Sequence, residues 1–418
     1  MQDLMLQAFQ FALQQNHPYT LTHKHLPPPP EQGKLAVLAV GKAALPMLRA
    51  AEDFYGPQIK GHAVTRYGHG GETRFIPLQE ASHPTPDENS ELAAQQALLL
   101  AQALGPQDTL LVLVSGGGSS LWCAPKGTSR PEKVVLTRLL LNSGATIHEI
   151  NTVRKQFSHI KGGKLAQGTR AKVISLLLSD VPGDDPDVIA SGPTVQNTST
   201  AQDALDVLRR YGLDDRPELK NAILLLQQAQ QQPSTGPVHS ENILIGSNHG
   251  FLKSVQDFWV QQGIPAFILG DTFTGEAREL AAFHAGLVRS IREHREPFKP
   301  PVVLISGGEA SVTVKGTGQG GRNQEFLLWL CWHLREQGVW AFAADTDGID
   351  GTTHAAGAFL TPETFQRSQN LRNIRQDLDN NNAFGFFESM GQLVVTGPTQ
   401  NNLNDGRMVF IPGDGATS

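Results

Sequence analysis

Three times in the first half of the sequence, a short uninterrupted run of aliphatic residues stops at a glycine- or aspartate-bearing loop and gives way to a helical pattern. Leu35–Val40 runs into Gly41-Lys42, Leu110–Val114 into Ser115-Gly116-Gly117-Gly118, and Val173–Leu178 into Ser179-Asp180. A strand with one wet face alternates apolar and polar residues; these do not, so both faces are expected to be covered. Strand, loop and helix in that order make a βα unit, and its repetition builds a parallel sheet flanked by helices. Such sheets take their ligands beyond the carboxyl ends of the strands. After a polar stretch, Gln227–Pro237, the rhythm restarts, and a domain boundary is expected near residue 240. Asn242–Ile245, Ala266–Leu269, Val302–Ile305, Val312–Lys315 and Val339–Ala344 read as further strands, with helices over Gly275–Arg292 and Asn323–Arg335. The expectation is an α/β chain of two domains, 1–240 and 241–418. Ahead of them, Met1–Asn16 reads as an amphipathic helix with Leu4, Ala8, Phe11 and Leu13 or Ala12 near one face, expected to pack on the first domain.

Composition narrows the function. The 418 residues carry 34 Lys and Arg against 40 Asp and Glu, a net charge of −6, so no strong basic field exists to attract nucleic acid. The longest apolar runs stop well short of the roughly 20 residues that cross a bilayer. No basic n-region or cleavage site marks the N-terminus, so a cytoplasmic protein is expected. Cys123 and Cys331 lie far apart in apolar surroundings and read as reduced core thiols.

The 42 glycines cluster, and the clusters mark the candidate site. Gly116, Gly117 and Gly118, flanked by Ser115, Ser119 and Ser120, follow one buried strand; Ser306, Gly307, Gly308 and Glu309 follow another. Glycines there let successive backbone N–H groups converge on an anion, although a tight turn would need the same residues. Each half also has a strand that runs into acids: Asp180, with Asp184, Asp185 and Asp187 as turn or cap residues, and Asp347 and Asp350 after Asp345. Carboxylates at strand ends can hold Mg2+ or accept a hydroxyl proton. Lys42 and Arg322 each stand at a helix start, where a cation is disfavoured unless an anion is bound or an ion pair forms. Gly316-x-Gly318-x-x-Gly321 matches a dinucleotide fingerprint behind the expected strand Ser311–Lys315, and alone it would suggest an NAD-dependent oxidoreductase. His83 is left between orienting a substrate and closing a turn.

Seven blocks in order resemble the glycerate 2-kinases (glycerate kinase type 2, with a MOFRL C-terminal domain). They are Ala39–Ala43, Ser82–Asp87, Ser115–Ser120, Ile150–Lys155 with Lys161–Leu165, Ser179–Asp184, Gly320–Glu325 and Thr346–Gly351. The resemblance implies a Rossmann-like N-terminal domain, a smaller MOFRL-type α/β domain and an active site in the cleft between them. It implies phosphorylation of D-glycerate by ATP at the 2-hydroxyl, with Mg2+ or another divalent cation. Lys42, Arg322 and Asp180 become the implied catalytic residues. Ser115 to Ser120, Lys155, Gly307, Gly308, Glu309, Asn323 and Glu325 become binding residues, and Asp180, Asp347 and Asp350 metal candidates. The partners are small molecules, not nucleic acid or membrane, and a homodimer is left open. Since the family has also carried the name hydroxypyruvate reductase, NAD(P)H-dependent reduction of hydroxypyruvate is the alternative.

Overall fold

The computed structural model describes residues 1–230, 236–335 and 338–413; of the polar stretch around the expected boundary, 231–235 lie outside the described residues. The chain forms two compact units, Pro18–Ile245 and a second made of Met1–His17 with Gly246–Ser418.

The first unit is built on a six-stranded sheet in the order β3-β2-β1-β4-β5-β6. The strands are β1 (Leu35–Val40), β2 (Lys60–Arg66), β3 (Leu78–Ala81), β4 (Thr109–Val114), β5 (Lys172–Leu178) and β6 (Ser240–Gly246). β3, β2, β1, β4 and β5 pair in parallel. Every residue of β1 and β4 is buried, as their unbroken apolar composition requires. Helix Glu88–Gln102 opens with a reciprocal capping box between Asp87 and Ser90. It lays Ala93, Ala94, Ala97 and Ala101 on the sheet, against a core that includes Leu38, Val40, Leu110 and Val112. The strand order reverses between β1 and β4, so the connections leaving these two neighbours run to opposite sides and open a crevice at their carboxyl ends.

The second unit holds a mixed six-stranded sheet in the order β11-β10-β9-β12-β8-β7. Its strands are β7 (Ala266–Glu276), β8 (Val302–Ser311), β9 (Trp340–Asp345), β10 (Gly357–Leu360), β11 (Leu393–Val394) and β12 (Asp405–Ile411). β7 and β8 are parallel, whereas β12 lies between β8 and β9 and runs against both. Two expectations are corrected here. Ser306–Glu309 is not a loop after a strand but the middle of β8, and Val312–Lys315 is not a strand but the irregular segment that follows it. A Cβ on Gly307 would stand 1.9 Å from Asn248 Oδ1, and one on Gly308, at φ +107°, would stand 2.5 Å from Phe273 N. Those glycines serve close packing of neighbours against the strand.

The N-terminal helix, Gln2–Gln15, also departs from expectation. Its buried residues are Met5, Ala8, Phe9 and Ala12, and Phe9 meets Phe251 of helix Asn248–Gln261 at 5.7 Å and Phe342 of β9 at 5.1 Å between ring centroids. It therefore packs on the second unit. Helical periodicity shows that one side is buried but not what covers it. Cys123 and Cys331 are buried free thiols. Among the described residues no helix is long and apolar enough to cross a membrane.

Candidate active site

At the crevice between β1 and β4 two loops are tied together. Lys42 N donates to Gly116 O at 2.8 Å, and Ser115 N to Val40 O at 2.9 Å. The buried Ser115 hydroxyl accepts from Ala43 N at 3.1 Å and donates to Val40 O at 3.3 Å. Gly41 takes φ +122° and passes so close to Ser115 that a Cβ would meet its Oγ at 2.2 Å. Ser115 is thus a strut between the loops, while Gly116, Gly117 and Gly118 carry the backbone round to the short helix Gly118–Leu121. Lys42 is half-buried beside Gly117.

The remaining groups of this sheet edge divide into struts and candidates. Ser119 Oγ pairs with Ser191 Oγ at 2.7 Å, which in turn donates to Asn151 Oδ1 at 3.0 Å, and Ser120 Oγ donates to Gly117 O. Lys155, expected to bind a ligand, is buried in an ion pair with Asp187. Lys161 Nζ donates to the carbonyls of Ser119 at 2.6 Å and Trp122 at 3.2 Å, capping the end of that short helix. Burial, then Arg154 and Lys133, hold its ammonium well below the usual lysine range. Lys164 donates to the carbonyls of Lys155 and Ser158, and burial brings it down to about 7. Asp185 and Asp187 are turn and ion-pair residues. Asp180 stands half-buried just past β5 on the same edge as Lys42.

In the second unit Arg322 opens helix Arg322–Leu334 and is encircled by acids. Nε donates to both oxygens of Asp405 at 2.8 and 3.0 Å, Nη2 to Asp345 at 2.7 Å and Nη1 to Glu309 at 3.2 Å. Burial alone would lower its pKa, but Asp405, Asp345 and Glu309 outweigh that and raise it. Asp405 is also gripped by Arg407 Nη2 and by Asn323 Nδ2 at 2.8 Å, and Arg407 itself is fully enclosed over the ring of Phe326. Sequence reasoning missed Asp405 and Arg407. Their only signal was a charge pair at the head of the aliphatic run Met408–Ile411, which ordinary strand interiors do not carry.

Asp350 and Glu325 take structural places. The enclosed Asp350 carboxylate accepts from Asn323 N at 3.1 Å and Gln324 N at 2.9 Å, capping the helix that Arg322 begins, and burial lifts it to about 7. Burial likewise raises Glu325 to about 7 against the hydrogen bond from Trp329 Nε1. Asp347 Oδ1 accepts from Ile349 N. Both oxygens of the enclosed Asp350 are taken by backbone N–H groups, so Asp350 does not fit a cation site. Among the described residues no group of three or more His, Cys, Asp and Glu could hold a metal ion. The dinucleotide fingerprint is corrected too. No strand leads directly into it, because β8 ends at Ser311, and Gly316 and Gly318 face Asn380 and Asn382 while Gly321 faces Asp350; a Cβ on Gly316 would stand 2.3 Å from Asn380 O. Asn380 Oδ1 and Asn381 Oδ1 accept from the N–H groups of Thr317, Lys315 and Gly316. The segment is a clasp between two chain stretches.

Residues 4–224 match the family described as Domain of unknown function (DUF4147), and residues 302–405 match the MOFRL family. The chain is 42% identical over 416 residues to a protein of Agrobacterium vitis named "Putative hydroxypyruvate reductase", covering 98% of this chain and 94% of that one. It is 42% identical over 381 residues to the D-glycerate 2-kinase of Thermotoga maritima, covering 89% of each. The crystal structure of a glycerate kinase from Thermotoga maritima superposes with a TM-score of 0.89 at 38% identity, covering 98% of this chain and 99% of that one. With both domain matches and these relatives along almost its whole length, the chain belongs to the glycerate 2-kinase family.

Proposed function

We propose that the chain is a cytoplasmic glycerate 2-kinase, which moves the γ-phosphoryl group of ATP to the 2-hydroxyl of D-glycerate and yields 2-phosphoglycerate and ADP. The observation that carries the reading is the reversal of strand order between β1 and β4, with Lys42 and the Gly116–Gly118 loop brought together there. Phosphoryl transfer asks a protein chiefly to position the reactants and to stabilise charge on the transferred group. Backbone amides of the glycine loop and the Lys42 ammonium suit those tasks; Arg322 of the second unit, its guanidinium fixed by three carboxylates, is the other cation proposed for catalysis. Asp180 is the acid on the β5 side of this edge that would touch a divalent cation carried by the nucleotide, which when bound neutralises phosphate charge.

A coupled assay tests the reading. ADP should appear only when D-glycerate is present, and phosphorus NMR should place the new group on O2. NADH consumption with hydroxypyruvate, in the absence of ATP and with no ADP formed from glycerate, would overturn it in favour of the reductase named among the relatives.

A further inference from the structure

The loops after β1, β2, β3 and β4 bring one more group to the site, and no role has yet been given to it. His83 lies just past β3, and its ring edge closes over the β4 loop. Gly117 has φ +83°, and a Cβ there would stand 3.2 Å from His83 Cδ2, 3.3 Å from Nε2 and 3.4 Å from Lys42 Cγ. The absent side chain is what lets the imidazole and the lysine stem meet at one point of the glycine loop. Buried ring nitrogens are normally satisfied by protein or by ordered water. No protein hydrogen bond reaches either nitrogen of the half-buried His83 ring among the described residues. The charged or titratable groups facing it are Lys42 after β1, and Arg66 and His69 at and after the end of β2. All of these are basic.

We propose that His83 is a catalytic residue of the phosphoryl transfer, its Nε2 accepting the proton of the 2-hydroxyl as that oxygen bonds to the γ-phosphorus. The bond from phosphorus to the bridging oxygen breaks, its electron pair leaves with ADP, and the ring releases the proton to water afterwards. This rests on the kinase reading above. Burial first, then Lys42, Arg66 and His69, hold the imidazole down to about 4, so it is uncharged with a lone pair available at neutral pH. A bound polyanion cancels the neighbouring cations and makes the ring more basic when the acceptor is in place.

The test uses the full chain with ATP, Mg2+ and D-glycerate, comparing wild type with His83→Asn, His83→Gln and His83→Ala. The expected result is a fall in kcat of about 100-fold or more in all three, with KM for ATP within about twofold and the melting temperature unchanged. The acid limb of kcat in wild type should lie at higher pH than that of kcat/KM and should vanish in His83→Asn. A kcat within about threefold of wild type, or a loss confined to KM with the acid limb intact, overturns the assignment. Lowered melting temperatures in all three variants overturn it as well, because the ring then serves the loop. Wild-type protein that forms no ADP with glycerate defeats the kinase reading itself, before any variant is compared.

Discussion

Arg322 donates through Nε, Nη1 and Nη2 to Asp405, Glu309 and Asp345, so an incoming anion has to displace or share those carboxylates. Among the described residues no such ring of acids surrounds Lys42, and its proposed role is the more direct of the two. Lys42→Ala should lower kcat/KM by about 100-fold or more, near 2.7 kcal/mol of transition-state stabilisation, in an assay of ADP release. Turnover like wild type would remove Lys42 from the site. Glu325 yields a pH prediction. Its folded pKa is raised to about 7 from 4.5, so the folded state holds the proton more tightly. Its contribution is therefore present below about pH 4.5 and is lost as pH rises toward 7. Glu325→Gln should be more favourable to stability at pH 8 than at pH 5, by up to about 3 kcal/mol in urea unfolding. An equal effect at both pH values would show that the carboxyl is not held protonated. Neither the pairing of Lys155 with Asp187 nor the capping by Asp350 was legible from sequence, because both depend on partners 32 and 27 residues away from the groups they hold.

Among the elements, β8 shows how two similar-looking runs of glycine after an aliphatic segment, Gly116–Gly118 and Gly307–Gly308, come to differ. The strand before Gly116 ends, because the helix Gly118–Leu121 starts there; the strand holding Gly307 continues, because β12 pairs with it from Val302 to Gly308 and β7 from Val303 to Ser311. Gly307 leaves room for Asn248, whose Nδ2 donates to the carbonyls of Leu403 and Asp405. Gly307→Ala must push that side chain away and should destabilise the protein by about 2 kcal/mol or more, read as a lowered melting temperature. Phe9 offers a second check on an element. Phe9→Ala empties a fully buried site between Phe251 and Phe342 and should cost about 3–5 kcal/mol in chemical denaturation. Phe11→Ala, on the flank of the same helix, should cost less.

For the molecule as a whole, the two halves differed in how openly the sequence displayed them. In the first-unit sheet β1, β4 and β5 were legible because each βα unit is local: an aliphatic run, a loop and a helix suffice to indicate it; β2 and β3, shorter or broken by polar residues, were not, and β6 was expected in the second domain although it pairs into the first sheet. Even the positions of Lys42, Ser115–Ser120 and Asp180 at strand ends followed from that pattern. The second-unit sheet depends on β12, which begins with Asp405, includes the buried Arg407 and reads as polar at its head. No local pattern announces a central strand that pairs with β8 a hundred positions earlier. The same holds for the ring of acids around Arg322, which is gathered from β8, β9 and β12.

That placement of β12 bears on how the polypeptide matures. Helix Gln2–Gln15 is synthesised well before its seat, which includes Phe251 and Phe342, and β12, which fills the sheet between β8 and β9, comes later still. The intervening unit can fold while synthesis continues, but this helix must keep an apolar stripe waiting until the residues that cover it have been made. A nascent chain arrested before Asp405 should therefore carry a protease-resistant middle and a cleavable beginning, and release past Ile411 should protect both.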